Sequence, residues 1–488
     1  MFKNLLKASV FSAALLVAGG TLAVPAFAEV VYNRGSAAEP ESVDPHKTST
    51  IYEAHVLRDL FMGLVIQDAK AELIPGAAES WTISDDGKVY TFKLRSGATW
   101  SDGNPVTAED FVYSFQRLED PATGAEYASM LYPIVNAEEV NTGKAKPEEI
   151  GVKAIDAGTL EVTLKAPTPY FLEMLTHQAA YPVSKASIER DGADWIKPGK
   201  LVSNGAYTLA EWVPNDHLKM VKNPKFYDAE NVKIDVVNFI PTEDRSSAMK
   251  RFEAGELDSY DDLPTEQLTE LKAKFGDQIR VAPYLGTYYY AVKIDKAPWD
   301  NVELRNAISE AIDRDFLAEK VWNNSMFPGY SMVPPGINGY TPAMASFADK
   351  SQIDREDEAK AVLEKLGYTP EKPLKMEIRY NTSENHKNTA VAIQEQLKPL
   401  GIEVTLLNTD TKTHYGFLEQ KGNYDVARAG WIADYKDPET FLGISRKASG
   451  NNYSDYDSPA FEAAMDKAAA AGGKPEDRMK DLADAERI

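Results

Sequence analysis

The side chains that could carry out chemistry are scattered along this 488-residue chain. Its six histidines never fall within five residues of one another, so no local metal-binding spacing is present. The adjacent acids Asp85-Asp86 and Asp261-Asp262 could serve acid–base catalysis, but solvated turns explain such pairs more simply. G-x-G, P-loop, H-E-x-x-H and G-x-S-x-G motifs do not occur. The residues give no positive evidence for an enzyme, and we predict neither a cofactor nor a metal.

Charge and composition narrow the class of protein further. The formal net charge is −22, which argues against nucleic acid and anionic membranes as partners because both require a basic surface. The chain contains no cysteine, so disulfides, thiolate metal sites and cysteine nucleophiles are excluded. With 43% hydrophobic residues it can bury a substantial core, and its length suggests about three domains.

The N-terminus has the form of a cleavable secretory signal. Lys3 and Lys7 precede an apolar run over 8–18, and Ala26-Phe27-Ala28 has the small-x-small form of a cleavage site. The alternative, a membrane anchor, is disfavoured because the apolar run is short and strand-like residues follow it. A lipid anchor would need a cysteine after the cleavage site. We therefore predict a signal peptide over 1–28 and a protein exported to the periplasm without lipidation.

The elements that would position a site alternate between strand-like and helix-like segments, which predicts an α/β fold. Thr107 followed by Asp110 resembles a capping box and predicts a helix start. Residues 302–322 have helical spacing, and 279–294 are extended in character. The uncharged stretch 325–348 contains several prolines and glycines, so it is predicted to be a long loop.

Short motifs that are specific as a set run through nearly the whole mature chain. They are Asp44-Pro45-His46-Lys47, Arg58-Asp59-Leu60-Phe61, Ala78-Glu79-Ser80-Trp81, Trp100-Ser101-Asp102-Gly103, Thr107-Ala108-Glu109-Asp110, Asn204-Gly205-Ala206-Tyr207, Tyr380-Asn381-Thr382-Ser383 and Asp425-Val426-Ala427-Arg428-Ala429-Gly430-Trp431. Together they resemble the periplasmic oligopeptide-binding proteins of peptide ABC importers, in the dipeptide/oligopeptide/nickel group of solute-binding protein family 5.

The resemblance implies a two-lobed periplasmic-binding-protein fold, class II-like, with an extra domain inserted in the first lobe. Mapped onto this chain, lobe I comprises 29–61 and 187–285, the extra domain 62–186, and lobe II 286–488. Family members return to lobe I with further strands after lobe II. The resemblance therefore also implies that lobe II is incomplete at the C-terminus of this sequence.

The family site, by resemblance, holds a peptide by its main chain and its termini. Asp434 matches the aspartate that receives the peptide α-ammonium, with a loop cap as its alternative role. Backbone pairing by strand addition is implied for Gly430, Trp431 and Ile432, and for the stretch that ends at Ile51. Such pairing would hold a peptide independently of its side chains.

Further site residues follow from the same resemblance. Arg428 matches an arginine that reaches the peptide carboxylate, for which a planar fork is suited, with an internal ion pair as its alternative. His386 matches a histidine that serves carboxylates of longer peptides, with a surface histidine as its alternative. The resemblance also implies that aromatic side chains line a pocket that accepts many different peptide side chains, with ordinary core packing as a close alternative for each tyrosine. These residues are Tyr127, Tyr260, Tyr284, Tyr289 and Trp431.

Three positions depart from the family pattern. Gly286 and Ile432 stand where enterobacterial relatives carry a cysteine pair, so that disulfide cannot form here. Trp322 replaces a lysine that can meet a peptide carboxylate, and Lys412 replaces a pocket tryptophan. Because of these exchanges, the resemblance does not fix peptide length or side-chain preference. A shift toward acidic murein peptides is one alternative.

The sequence therefore predicts a periplasmic solute-binding protein, expected to be a monomer, that captures short peptides between two lobes and delivers them to a membrane-embedded ABC permease. The alternative within the family is a murein-peptide or dipeptide binder. Alternatives from other classes are a periplasmic chaperone and a secreted hydrolase that uses the acidic pairs. A chaperone should bind long unfolded clients without needing a free ammonium, and this requirement separates it from an importer.

Overall fold

The computed structural model describes residues 29–282, 284–470 and 475–488. The predicted signal peptide, 1–28, lies outside these residues. The strands are β1 Val31–Ser36, β2 Val65–Gln67, β3 Leu73–Pro75, β4 Ala78–Ile83, β5 Val89–Leu94, β6 Val152–Asp156, β7 Thr159–Thr163, β8 Tyr207–Val213, β9 His217–Lys222, β10 Val236–Pro241, β11 Gly286–Val292, β12 Leu374–Asn381, β13 Ile402–Thr409 and β14 Val426–Ile432.

Helices of very different length alternate with these strands. They are α1 Ile51–Leu60, α2 Ala108–Glu119, α3 Ala137–Asn141, α4 Phe171–Met174, α5 Lys185–Asp191, α6 Arg245–Glu253, α7 Leu268–Phe275, α8 Val302–Ala311, α9 Arg314–Phe316, α10 Gln352–Lys365, α11 Glu384–Leu397, α12 Thr411–Glu419, α13 Glu439–Leu442, α14 Pro459–Ala470 and α15 Pro475–Arg487. Residues 325–348 contain no strand or helix, as predicted for a long loop.

Three four-stranded sheets are each drawn from a different part of the chain. One has the order β1-β10-β9-β8, the second β4-β5-β7-β6, and the third β11-β14-β12-β13. In the third sheet, β12 runs parallel to both β13 and β14, while β11 is antiparallel to β14. The three sheets fall in the three predicted units, whose residue boundaries stay a prediction.

Local sequence explains how the second sheet is covered. The predicted capping box forms: the Thr107 N–H donates to Asp110 Oδ2 at 2.7 Å and starts α2. Phe111, Phe115 and Leu118 then recur at helical spacing and are fully buried. On β5, alternate residues such as Phe92 point into the same core.

Two predicted elements are shorter in the structure. The predicted helix over 302–322 ends at Ala311, because Asp313 caps a new short helix by accepting the Phe316 N–H at 2.9 Å. Among the described residues of the predicted extended segment 279–294, a strand forms only over 286–292, where β14 is opposite it. Gly286 and Ile432, the positions of the family cysteine pair, are direct partners in this ladder.

The largest hydrophobic core joins the first two units to the C-terminal part of the chain. It combines Phe92 and Phe111 with Trp431, Phe441 and Phe461, among others. A second core lies under the third sheet, around Trp299 and the inner face of α11. The segment that follows β14 is thus packed against the extra domain as well as against its own lobe.

A close backbone approach fixes α1 against the first sheet. The Gly205 N–H donates to Leu60 O at 2.9 Å, and a Cβ at this glycine would lie 2.6 Å from that same oxygen. Backbone atoms cannot move aside as a flexible side chain can, so this position requires glycine.

We expect Gly205→Ala to lower stability by about 1–3 kcal/mol, the usual penalty for overpacking. The matched control is Gly329→Ala, because a Cβ at Gly329 meets nothing within 4 Å. Thermal melts should show a melting point several degrees lower for the first variant and an unchanged one for the control. Equal melting points would contradict the close approach.

Candidate functional site

The halves of the chain meet across a cleft whose walls come from three separated segments. Residues 39–53, Glu126 and α12 surround a pocket of about 410 Å³, counting the part open to solvent. Hydrogen bonds cross the cleft nearby. The Thr411 N–H donates to Glu243 Oε1 at 3.2 Å, and Thr265 Oγ1 donates to Asn385 Oδ1 at 3.0 Å. The lobes are therefore in direct contact.

β14 presents a free backbone edge to this cleft. All of it pairs with β11, whereas β12 pairs with only its first two residues. The Ala433 N–H donates to Leu285 O at 3.0 Å, and bonded pairs alternate along an antiparallel ladder. Gly430 and Ile432 therefore turn their N–H and C=O groups away from β11. An extended chain can add to this edge as a further strand.

The Asp434 carboxylate lies just beyond the open edge. Its side chain is 13% exposed, and His177 Nε2 lies 3.7 Å from Oδ1. Thr440 Oγ1 donates to Oδ2 at 3.4 Å. Within 29–282, 284–470 and 475–488, no lysine or arginine nitrogen comes within 4.0 Å of this carboxylate. The carboxylate is thus buried without a cationic partner.

Burial raises the pKa of Asp434 to about 7, against the lowering effect of the Thr440 hydrogen bond. Glu439 adds to the rise, and the more distant Arg58 opposes it. An ionised carboxylate out of water costs free energy unless a cation or hydrogen-bond donors compensate it. This position is therefore suited to an ammonium group supplied by a ligand.

Aromatic rings from both sides of the cleft cover this carboxylate. The Tyr127 ring stacks between the rings of His177 and Trp431, at centroid distances of 4.4 and 5.8 Å. The Ala179 N–H donates to His177 Nδ1 at 3.2 Å, so the neutral ring carries its proton on Nε2, facing Asp434. Burial lowers the pKa of His177 to about 3, which keeps the ring neutral. Sequence reasoning missed this histidine, since only the fold brings it here.

Arg428 also lacks a charged partner. Its Nη1 donates to Tyr415 Oη at 2.7 Å and to Asn381 Oδ1 at 3.4 Å, and its guanidinium lies 4.8 Å from the Tyr288 ring centroid. Nε has no hydrogen-bond partner in the described part of the chain, and no carboxylate there lies within 4.0 Å. A Cβ at Gly430 would come within 3.3 Å of Nη2, so the glycine lets the guanidinium lie along the strand.

His386 lies in the first turn of α11, beside Arg428. It is only 4% exposed, so the surface-histidine alternative is wrong. Its Nδ1 lies 3.4 Å from Tyr288 Oη. Burial, together with Arg428 and Arg245, lowers its pKa well below the usual range. The neutral ring can therefore serve only as a hydrogen-bonding group at this end of the cleft.

Arg245 and Tyr288 also lie at this end, and sequence reasoning missed both. Arg245 is 5% exposed, donates to Asp262 Oδ2 at 2.6 Å and bonds across the cleft to the Ser383 hydroxyl. Tyr288 lies inside the segment 279–294, which was predicted to be extended, but strand alternation alone does not say which ring faces Arg428.

The remaining predicted residues are less central. Tyr289 packs on the face of β11 opposite Tyr288, against the core that contains Trp431. Tyr260 donates its hydroxyl to Thr242 O at 3.1 Å within lobe I. Tyr284 is 71% exposed, and Ile51 is 37% exposed and begins α1 rather than extending a strand. Their roles in ligand binding stay predictions.

The pocket beside these groups is rich in carboxylates. Its walls carry two lysines and five acids: Glu39, Glu41, Glu53, Glu126 and Glu419. Burial raises the pKa of Glu419 to about 7, while its bond from Ser49 lowers it and the neighbouring acids raise it again. The pocket wall is therefore electrostatically unfavourable for an acidic group.

Among residues 29–282, 284–470 and 475–488, no helix combines the length and apolar character needed to cross a bilayer. These residues also hold no group of three or more histidine, aspartate or glutamate side chains placed to bind a metal ion.

Residues 72–453 match the family described as bacterial extracellular solute-binding proteins, family 5 Middle. The chain belongs to this family. It is 41% identical over 471 residues to the periplasmic oligopeptide-binding protein OppA of Salmonella typhimurium, which covers 94% of this chain and 86% of the relative. The Haemophilus influenzae OppA complex with RPPGFSPFR superposes with a TM-score of 0.91 at 38% identity, over 95% of this chain and 91% of that one. The predicted family and fold class are confirmed.

Two structures of another family member define the arrangement of the lobes. The Escherichia coli murein tripeptide-binding protein MppA is 39% identical and superposes with a TM-score of 0.91, over 95% of this chain and 91% of that one. Its unliganded open form, at the same identity and covering 95% and 90%, reaches only 0.62. The present structure therefore differs from the open arrangement, and its lobes are closed.

We expect Asp434→Asn to make the ligand-free protein more compact at pH 8, because an ionised carboxylate without a cation opposes closure. The pKa is about 7 in the closed form and near the ordinary value of about 3.9 in the open form, so the difference should shrink as the pH falls through this range and vanish below about pH 4. Small-angle X-ray scattering of refolded, ligand-free protein measures this as the radius of gyration.

The control is Asp300→Asn, which neutralises an exposed acid in the same lobe. It should leave the radius of gyration at the wild-type value at both pH values. If wild type and Asp434→Asn have the same radius at pH 8, the carboxylate does not oppose closure.

Proposed function

We propose that this protein is the periplasmic solute-binding component of an ABC importer and that it captures short peptides between its lobes. The observation that carries the proposal is a carboxylate and a guanidinium, both largely shielded from solvent and without charged partners among the described residues, beside one open strand edge. A peptide with free termini supplies both missing charges and a backbone for the edge. The family membership and the peptide-binding relatives support the same function.

Each group would meet a different part of the peptide. Asp434 would accept the α-ammonium, while Gly430 and Ile432 would pair with main-chain N–H and C=O groups. Arg428, with His386 beside it, would bind the carboxylate through charge-assisted hydrogen bonds. Because these contacts ignore side chains, they suit a carrier of many sequences.

The spacing of the charged groups suits a short peptide. The Arg428 guanidinium approaches Gly430, so the two charges are separated by the strand and loop from 430 to 434. Four residues span at most about 13 Å when fully extended, at roughly 3.3 Å per residue. An extended peptide of three to four residues matches this separation.

Ligand binding and closure are coupled through the same charges. Tyr127 and His177 cover Asp434 only when the lobes meet, so closure removes the carboxylate from water. Without a cation this step is unfavourable, whereas a bound ammonium makes it favourable. The peptide thus shifts the hinge equilibrium toward the closed form that would be presented to the permease.

A murein-peptide binder is the second candidate, because MppA is among the similar structures. The acidic pocket wall formed by Glu41, Glu126 and Glu419 disfavours an acidic side chain beside it. Neutral and basic peptides therefore fit this chain better than acidic murein peptides. We infer a non-catalytic protein that acts as a monomer in the periplasm.

Calorimetric titrations with trialanine, its N-acetyl form and its C-terminal amide test both charged groups together. Acetylation should weaken binding to wild type by about 100-fold or more, since it leaves Asp434 buried and unpaired. In Asp434→Asn that penalty should shrink to a few fold, while the penalty for amidation remains. In Arg428→Met, the penalty for amidation should shrink to a few fold, while the penalty for acetylation remains.

Asp300→Asn is the control and should behave as wild type in every titration. Equal wild-type affinity for the free and acetylated peptides would refute ammonium capture and favour the chaperone alternative. Peptide turnover during the titration would refute the non-catalytic role.

A further inference from the structure

One buried hydroxyl links the charged and aromatic parts of the ammonium site. Thr440 is 3% exposed and is the second residue of α13. Its Oγ1 accepts the Trp431 indole N–H at 3.1 Å and the Asp434 backbone N–H at 3.2 Å. The same oxygen lies 3.4 Å from Asp434 Oδ2.

The hydrogen-bonding capacity of a hydroxyl fixes its direction here. The oxygen has two acceptor positions and one hydrogen. The two N–H donors, from Trp431 and Asp434, occupy both acceptor positions. The hydroxyl hydrogen is then left for the third neighbour, Asp434 Oδ2, so Thr440 acts as a donor to the carboxylate.

We propose that Thr440 is a positioning residue that aims the Asp434 carboxylate at the peptide ammonium and holds the Trp431 ring that covers it. This inference rests on the proposed peptide capture. Thr440 itself need not touch the peptide. Without its hydroxyl, the carboxylate loses a donor, the loop loses an anchor and the indole N–H is left unpaired in the core.

The scaffold under Thr440 is rigid enough for this task. The Thr440 N–H donates to Asp437 O at 3.3 Å. Asp437 in turn accepts two bonds from Arg478 of α15, at 2.6 and 2.8 Å, and both side chains are buried. Arg478 also donates to Tyr170 Oη of the extra domain at 3.1 Å. The backbone that carries this hydroxyl is therefore anchored to α15 and, through Arg478, to the extra domain.

The charged and titratable groups that face Asp434 come from several elements. His177 and Tyr127 lie on the extra-domain side, Tyr435 on the same loop as Asp434, Glu439 at the start of α13, and Arg58 near the end of α1. Burial lowers the pKa of His177, so its ring is neutral. Burial raises the pKa values of Tyr127 and Tyr435, so both hydroxyls stay protonated. Thr440 supplies a directional donor to this carboxylate.

The test compares Thr440→Val, which keeps the shape but removes the hydroxyl, with Thr440→Ser, which retains it. Trialanine and N-acetyl-trialanine are titrated by calorimetry from about pH 3.5 to 8, a range that includes the ordinary pKa of an aspartate. Thr440→Val should weaken trialanine binding about tenfold at pH 7, the size of one hydrogen bond to a charged group. As the pH is raised, the affinity of Thr440→Val should begin to increase at a higher pH than that of wild type, because the carboxylate is harder to ionise without its donor.

Thr440→Ser should bind within a few fold of wild type and keep the wild-type pH profile. A purely structural role would weaken both peptides equally in Thr440→Val and leave the pH profile in place, and that result would overturn the proposal. Wild-type binding by Thr440→Val would overturn it as well. Failure of wild type to distinguish the two peptides would instead refute ammonium capture itself.

Discussion

A carboxylate removed from water needs a positive partner, and Asp434 has none within the described protein. This constraint explains the arrangement of the residues around Asp434. The stacked rings of Tyr127, His177 and Trp431 exclude solvent from the carboxylate. The neutral His177 cannot supply the missing charge, so a cation must come from outside. Arg428, farther along the strand, is a cation that needs a negative partner. A peptide with free termini supplies a partner for each group.

The fold places these two charges beside the backbone edge of β14 that β12 leaves largely unpaired. β12 leaves β14 after two paired residues, and His414 closes the edge at Arg428 by bonding to its carbonyl oxygen at 2.8 Å. Gly430 serves twice, since it offers free backbone groups and makes room for the guanidinium. In the proposed binding mode, specificity for the main chain would arise from strand geometry, while the lobes would provide burial only on closure.

Much of this arrangement was accessible from sequence, but unevenly. The capping box at Thr107 and the α/β alternation depend on local patterns, and both were predicted correctly. Asp434, Arg428 and His386 were named through family motifs, and the structure places all three at the cleft, with His386 buried and the other two largely shielded from solvent. His177, Thr440 and Arg245 were missed because their importance depends on contacts between distant segments. The predicted helix over 302–322 failed because a local cap at Asp313 overrode the helical spacing.

The most direct test of the central claim is the pKa of Asp434 with closed lobes. Selective carbon-13 labelling of aspartate carboxyls, assigned with Asp434→Asn, measures it by nuclear magnetic resonance. With saturating trialanine, the bound ammonium should hold the pKa below about 4. With saturating N-acetyl-trialanine, the pKa should stay near 7, because burial then raises it with no bound cation to oppose the rise. The same pKa in both complexes would contradict capture of the ammonium by this carboxylate.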